Sequence, residues 1–571
     1  MTHGSGAIDS ADETDRSGTH DVLVIGGGLA GLTLALQLKD RFADIDVLVL
    51  ERRRHPVPVA CHKVGESTVE IGAHYLAEVL GLREHLQQQQ LPKFGFRFFF
   101  SDARRDIHSV GEIGASRPLP VPSYQIDRGR FENFLGHEAQ RRGVRFIDDA
   151  TVNRVDPASG DNGTALHRID WHRGAGAQHS SRARWLIDAS GRAGVLKRKF
   201  ALAQGNAHDA HAVWLRIGER LCIDEWSDDS AWRARCSTPT RWLSTNHLVG
   251  EGYWVWLIPL ASGSHSVGIV ADPAFHALDS MNTVDKALEW LRVRQPRLHD
   301  ELAPRRHKVQ DFAFFRHFSH DCAQLLSSER WAITGEAGRF LDPFYSPGTD
   351  FIAIGNTFIS ELIARDRAGK PLAAHVQIYE QVLRSFHDST MTLYAGQYGL
   401  FGDAELLPLK VLWDYSYYWS VPAQLFFHKR LADLALLSKV RDELQRCQQL
   451  NLAVQCFLRE WSRQGRRHNP AVLHDQAALP WFVELNRSLG DTLDDDGVRR
   501  RLQQAPLLLA TLATELLQRC RDACPALDSG PLRVAIDAAG GPRTTSPPLL
   551  PPLLPPINAP LPAAASSVAQ R

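Results

Sequence analysis

One glycine-punctuated turn and one acid carry the first chemical signal. Gly26-Gly27-Gly28-Leu29-Ala30-Gly31 follows the apolar run Asp21–Ile25 and opens a segment with helical apolar spacing at Leu32, Leu34, Ala35 and Leu38. A second apolar run, Val47–Leu50, ends at Glu51. Gly26 permits the tight turn, Gly28 lets backbone approach a pyrophosphate, and Gly31 lets the helix lie close to the sheet. The free N–H groups and positive dipole end of that helix face the phosphates, and Glu51 stands where a carboxylate accepts ribose hydroxyls. The pattern of strand, turn, helix, strand and acid predicts a dinucleotide site.

The remaining elements must place other groups against that turn. Val64-Gly65-Glu66-Ser67-Thr68 precedes a helix expected from Ile71, Tyr75, Leu76, Val79 and Leu80, with Ser67 or Thr68 as its cap. Lys93–Phe100 alternates like a strand. Arg128 leads into another amphipathic helix, and Trp185–Asp188 and Trp331–Ile333 each read as a strand ending in small residues. Strand-like runs between 211 and 320 suggest a sheet-rich insertion. From about 355 the apolar spacing turns helical, with an aromatic cluster at Trp413, Tyr415, Tyr417, Tyr418 and Trp419 that reads as core packing, as a substrate wall, or as both.

The chain has 571 residues, with 65 Lys+Arg against 65 Asp+Glu, so no global field favours nucleic acid or an anionic membrane. The 8 cysteines form no regular framework and read as reduced thiols, with no metal site expected. The polar N-terminus lacks the apolar core of a signal peptide, and no apolar run has the length of a transmembrane helix, so a cytoplasmic location is expected.

Three further motifs complete a resemblance. Gly252-Tyr253-Trp254-Val255-Trp256-Leu257-Ile258-Pro259 is similar to a WxWxIP signature, and Phe340–Gly348 matches FxxPxxSxG at Phe340, Pro343, Ser346 and Gly348. Val64–Thr68 is similar to a VGEAT strap, with Ser67 in place of alanine. With the glycine turn, these resemble the flavin-dependent halogenases, the group of tryptophan, phenol and pyrrole halogenases, over about residues 20 to 355.

The resemblance implies an α/β FAD-binding fold of the Rossmann-like, p-hydroxybenzoate-hydroxylase type, with a sheet-rich substrate region and a C-terminal helical region. With composition and apolar spacing, the chain is expected to divide into a disordered leader (1–19), an FAD-binding module with its substrate sheet (20–355), a helical region (356–525) and a Pro-rich disordered tail (526–571). It implies FAD, delivered as FADH2 by a separate NAD(P)H-dependent flavin reductase, together with O2 and chloride or bromide. Hypohalous acid made beside the flavin then travels to a lysine near the substrate, a position matched by Lys93. An amine flanked by aromatic residues is partly desolvated, which lowers its pKa and favours its neutral form.

By the same resemblance Gly26, Gly27, Gly28, Ala30, Gly31, Glu51, Gly65, Ser67, Arg128, Glu336 and Thr349 would touch the cofactor. The halide would sit at Pro347-Gly348, where only Gly348 has an N–H to give. Trp254 and Trp256 would wall the substrate from the flavin. Tyr345 stands where tryptophan halogenases carry a glutamate, which turns the expectation toward a phenolic or pyrrolic substrate, free or carrier-bound. Alternative readings are an aromatic monooxygenase of the same fold, a flavin-dependent lipid reductase and a noncatalytic flavin-binding scaffold. A homodimer packed through the aromatic helices also remains open.

Overall fold

The computed structural model describes residues 18–60, 63–158, 165–236, 238–464 and 469–541. Its first sheet forms around two strands whose side chains are apolar on both faces. Thr19–Ile25 and Val47–Leu50 pair in parallel, and Val22, Leu23, Val24, Val47 and Val49 are all buried. Such continuous apolar runs suit a sheet covered on both sides. Arg145–Ile147 extends one edge, and on the other side Gln178–Asp188 lies parallel to Thr19–Ile25. Antiparallel strands His167–Arg173 and Ala150–Asp156 follow, while Trp331–Ile333 runs beside the end of Gln178–Asp188. Thus the small-residue turns after Asp188 and Ile333 emerge at the same sheet end as the glycine turn.

A second sheet of eight strands runs Val309–Phe315, His211–Ile217, His265–Ala271, Tyr253–Pro259, Thr245–Gly250, Phe96–Phe99, Glu112–Gly114 and Leu473–Asp475. It is therefore not confined to the insertion expected between 211 and 320. Strands from the region near Lys93 and from beyond residue 470 complete one edge. Glu112 anchors that edge: its carboxylate accepts from Arg241 Nε at 2.9 Å and pairs with Arg97, all three groups being buried. Burial alone would raise the Glu112 pKa, and the cations Arg97 and Arg241 overcome it to hold the carboxyl below its ordinary value.

Behind the sheets lie the helices Gly348–Arg367, Ala373–Met391, Leu406–Ser420, Arg441–Gln464 and Asp495–Ala523. A further helix, Gly530–Ala538, packs on the last two through buried Leu532 and Ile536. This corrects the reading of 526–541 as disordered; the leader before residue 18 and the tail after 541 lie outside the described residues. The helix start also differs from expectation. The cap of Glu70–His74 is Val69, with no side-chain bond, because Ser67 and Thr68 are engaged elsewhere. No helix among the described residues is long and apolar enough to cross a membrane.

Candidate active site

The glycine turn separates steric duties by position. Gly26 has φ +108°, and a Cβ there would lie 2.3 Å from the Ala189 carbonyl oxygen. A Cβ on Gly31 would lie 2.0 Å from the Gly26 carbonyl oxygen, so helix Leu29–Arg41 can sit this close only with glycine there. Gly28 differs: an added Cβ would meet nothing within 4 Å, leaving its backbone face accessible. The helix begins after Gly28 without a side-chain cap, so its first N–H groups remain for an anion. These features fit a dinucleotide pyrophosphate.

Glu51 closes this turn from the next strand. Its Oε2 accepts from Gly27 N–H at 2.6 Å and its Oε1 from Arg53 N–H at 2.7 Å, which orients the carboxylate while leaving lone pairs for ribose hydroxyls. Across from the turn, Gly335 has φ +61°, and its added Cβ would lie 2.9 Å from Ala30 Cβ. That contact sets Glu336 beside the turn. Burial pushes the Glu336 pKa up, with Arg192, Arg128 and Lys63 opposing it.

The strap lies on the other side of the same region. Gly65 has φ +85°, and an added Cβ would be 2.9 Å from Arg128 Nη1. Arg128 donates to the Val64 carbonyl at 2.8 Å and to Glu132 at 2.6 Å, so it ties the strap to its own helix rather than standing free as an anion ligand. Ser67 bonds Thr245 Oγ1 at 2.9 Å, turning its side chain to the second sheet. Thr68 exchanges bonds with the backbone of Tyr124. Those bonds explain why neither residue caps the following helix.

Pro347 and Gly348 form the start of the 20-residue helix Gly348–Arg367. Gly348 is exposed, and a Cβ there would meet nothing within 4 Å. Its N–H, at the positive end of a long helix, suits a halide. Ser346 sits at φ +51° and donates its N–H to the Pro343 carbonyl, making the turn that aims the helix. Thr349 is buried against Gly72, so its side chain belongs to a helix contact rather than to an open ligand face.

Lys93 ends the short strand Leu91–Lys93, and Gly95, at φ +70°, breaks the alternation expected through Phe100. The lysine is 8% exposed, and Nζ donates to the Thr68 carbonyl at 2.8 Å and lies 3.4 Å from the Phe96 ring centroid. Burial pulls its pKa down to about 7, against the opposing pull of Glu70 and then Asp350. Phe96 is in turn a wall of a cavity of about 90 Å³ whose lining includes Tyr345, Pro347, Asp350, Asp414 and Tyr415. Lys93 thus stands behind Phe96 and not in the cavity wall itself.

Trp254 and Trp256 are buried in strand Tyr253–Pro259. Trp254 Nε1 donates to Tyr398 Oη at 3.0 Å, and Tyr398 donates to Asp342 at 2.5 Å; Asp342 also meets His208 Nε2 at 2.6 Å. This chain joins the tryptophan to the Phe340–Gly348 loop. Phe344 packs against Trp254 at 5.1 Å between centroids, while Phe340 stands 5.6 Å from Phe318. Trp256 lies over Gly268, where an added Cβ would fall 2.1 Å from the indole.

The motif reading missed the acids. Glu70 and Asp350 look like ordinary first-turn acids of their helices, yet both are buried, and burial raises both pKa values, that of Asp350 to about 7. Asp414 did carry a signal: with Lys410 one turn before it, it is a charged pair within the otherwise apolar and aromatic helix Leu406–Ser420. The hydroxyl of Tyr345 is turned toward Asp414, with no partner at hydrogen-bond geometry among the described residues. Tyr415, Tyr417 and Tyr418 line the cavity, whereas Trp413 and Trp419 are core.

Comparison with known proteins gives a consistent picture. A tryptophan halogenase family model matches residues 115–395, and an NAD(P)-binding Rossmann-like domain model matches residues 24–87. The flavin-dependent halogenase chlA of Dictyostelium discoideum is 25% identical over 441 residues, covering 72% of this chain and 71% of its own length. A chlorinase of 1H-pyrrole-2-carbonyl peptidyl-carrier protein from Pseudomonas fluorescens is 24% identical over 354 residues, 58% of this chain and 72% of that protein. Halogenase PltM, solved with phloroglucinol and FAD, shares the fold at TM-score 0.61 and 17% identity, over 85% of this chain and 95% of PltM.

Proposed function

We propose that the chain is a flavin-dependent halogenase, as the family match over residues 115–395 and the halogenase relatives support, and that it halogenates an electron-rich phenolic or pyrrolic ring with Lys93 presenting the halogen. A separate NAD(P)H-dependent reductase supplies the reduced cofactor in this reading. Bound FADH2 supplies the electrons with which O2 and chloride or bromide yield hypohalous acid. The glycine turn, Glu51 and Glu336 would hold FAD, and the Gly348 N–H would hold the halide.

One observation carries the reading: a buried lysine amine, with its pKa brought to about 7, lies over the ring that walls an aromatic cavity next to Pro347. A neutral amine hydrogen-bonds hypohalous acid or forms a haloamine, and either fixes an electrophilic halogen at one place. Phe96 must swing aside for that halogen to reach the cavity. Trp254, held by Tyr398 and packed on Phe344, fits the role of wall between substrate and cofactor. The carrier-bound pyrrole handled by the chlorinase relative and the phloroglucinol of the PltM complex support an activated ring, free or carrier-bound.

The test is incubation of the purified chain with a flavin reductase, NADH, FAD, O2 and bromide or chloride, followed by mass spectrometry of a panel of phenols and pyrroles. A halogen isotope pattern that disappears in Lys93→Ala supports the proposal. Hydroxylated product without halogen would assign the chain to the monooxygenases instead.

A further inference from the structure

The cavity beside Phe96 contains two carboxyl groups, Asp350 and Asp414, and no basic side chain among its lining residues. The two acids are held in different ways. Asp414 accepts from Lys410 Nζ at 2.8 Å and from Gln455 Nε2 at 2.6 Å, so a buried amine already engages it, while burial raises its pKa against that pull. Among the described residues Asp350 accepts from neutral donors: Gly72 N–H at 2.8 Å on Oδ1 and the Tyr418 hydroxyl at 2.7 Å on Oδ2. Tyr418 is itself fixed by the Ile71 N–H at 2.9 Å.

This mounting is tightly specified. A Cβ on Gly72 would fall 3.0 Å from Asp350 Oδ1 and 2.9 Å from Thr349, so the two helices meet only at a glycine. The ionisable groups acting on Asp350 are Tyr418, Glu70 and Lys93; Glu70 opposes its ionisation and Lys93 favours it. Each carboxylate oxygen accepts more than one hydrogen bond, so capacity remains toward the cavity. Burial sets its pKa at about 7, a value suited to taking and returning a proton near neutrality.

Resting on the halogenase reading above, we propose that the cavity takes an uncharged hydroxylated arene and that Asp350 accepts the proton of its ring hydroxyl as the halogen arrives. An aryl carboxylate would be desolvated beside two acids, with the amines of Lys93 and Lys410 already engaged. In the reaction the hydroxyl proton moves to Asp350 while ring electrons attack the halogen of hypohalous acid. The carbon–halogen bond forms and the halogen–oxygen bond breaks. The departing hydroxide takes the ring proton and leaves as water, and Asp350 returns its proton to the ring oxygen. The ring loses two electrons and the halogen gains them.

Fluorine NMR on the full chain tests the binding half with 4-fluorophenol, 4-fluoroanisole, 4-fluorobenzoate and 4-fluorobenzylamine as probes. The wild type should bind the phenol at least tenfold more tightly than the other three. In Asp350→Asn the phenol should fall to the affinity of the anisole while anisole binding is unchanged. Tighter binding of the benzoate or the benzylammonium, or a phenol preference that survives in Asp350→Asn, overturns the proposal. The wild-type ranking decides the ligand class whether or not the variant folds.

The catalytic half is read with the reductase system and a hypohalous-acid trap. Asp350→Asn should keep the trapped halogen and lose phenol halogenation at least tenfold; equal halogenation overturns the role. Absence of trapped halogen from the wild type would refute the halogenase reading, while the NMR ranking would still decide the binding claim.

Discussion

Replacing Lys93 with methionine should stabilise the protein near neutrality while abolishing ring halogenation. The amine is buried, and burial brings its pKa from 10.5 to about 7 despite Glu70 and Asp350. Because the folded value lies below the unfolded one, the lysine's contribution to stability is fully present above about pH 10.5 and is lost as the pH falls toward 7. At about 1.4 kcal/mol for each pH unit the full loss is about 5 kcal/mol, and about 4 kcal/mol of it is reached by pH 7, where the folded amine is itself half protonated. Methionine keeps most of the volume and forfeits the bond to the Thr68 carbonyl, which costs about 1 kcal/mol. Lys93→Met should therefore exceed the wild type by about 3 kcal/mol at pH 7 and fall about 1 kcal/mol short of it near pH 10.5. Urea unfolding at both pH values measures the difference, and trapped hypohalous acid with unmodified substrate completes the expected phenotype. A variant destabilised equally at both pH values would show that the amine is a solvated or fully compensated cation, and the argument for a reactive lysine would lose its basis.

Gly28→Ala should fold with unchanged thermal stability and bind FAD at least tenfold more weakly, whereas Gly31→Ala should unfold at lower temperature because its methyl meets the Gly26 carbonyl oxygen. Calorimetry and flavin titration separate the two. Tyr398→Phe leaves the buried Trp254 N–H without its acceptor and should cost about 1 to 3 kcal/mol in urea unfolding, with the hydroxylated side product rising if the wall loosens. Glu112→Gln breaks a buried carboxylate from Arg97 and Arg241 and should cost about 3 to 5 kcal/mol at pH 7. Since the folded Glu112 pKa is lowered, that stabilisation is present above about pH 4.5 and is lost as the pH falls from there through the folded pKa, so the penalty should shrink in an unfolding series run from about pH 5 downward.

Sequence patterns identified those features whose chemistry is local. Gly31 is demanded by contact with the backbone of Gly26 five residues away, Gly26 by its own positive φ in the turn, and the helix face at Ile71, Tyr75 and Leu76 follows from its period. Long-range pairing was hidden. Nothing near Glu112–Gly114 announces that Leu473–Asp475 will pair with it, whereas the aromatic flanks of Lys93 did announce the ring that covers its amine. The helix Gly530–Ala538 was masked by the proline-rich composition that follows it, although Leu532 and Ile536 are one turn apart. Arg128 shows a further long-range feature that the sequence hid: an arginine expected near the cofactor also ties the strap carbonyl of Val64 to Glu132.

Asp350 was overlooked because acids are common in a first helical turn, where the dipole favours them. Its burial turns that commonplace into a constraint, for the same helix end is asked to receive a halide at Gly348. Two anions at one terminus compete unless they face different directions. Gly72 and Tyr418 supply that separation by binding both Asp350 oxygens on the inner, helix-packed side, while Gly348 remains exposed. A carboxyl that is half neutral near pH 7 also opposes a nearby halide less than a full charge would. The glycine at 72 and the tyrosine at 418 thus matter to the proposed halide site without touching it, and the departure at Tyr345 need not remove the proton acceptor from the cavity. In the proposed reaction that task falls to the first turn after Pro347 instead of the loop before Ser346.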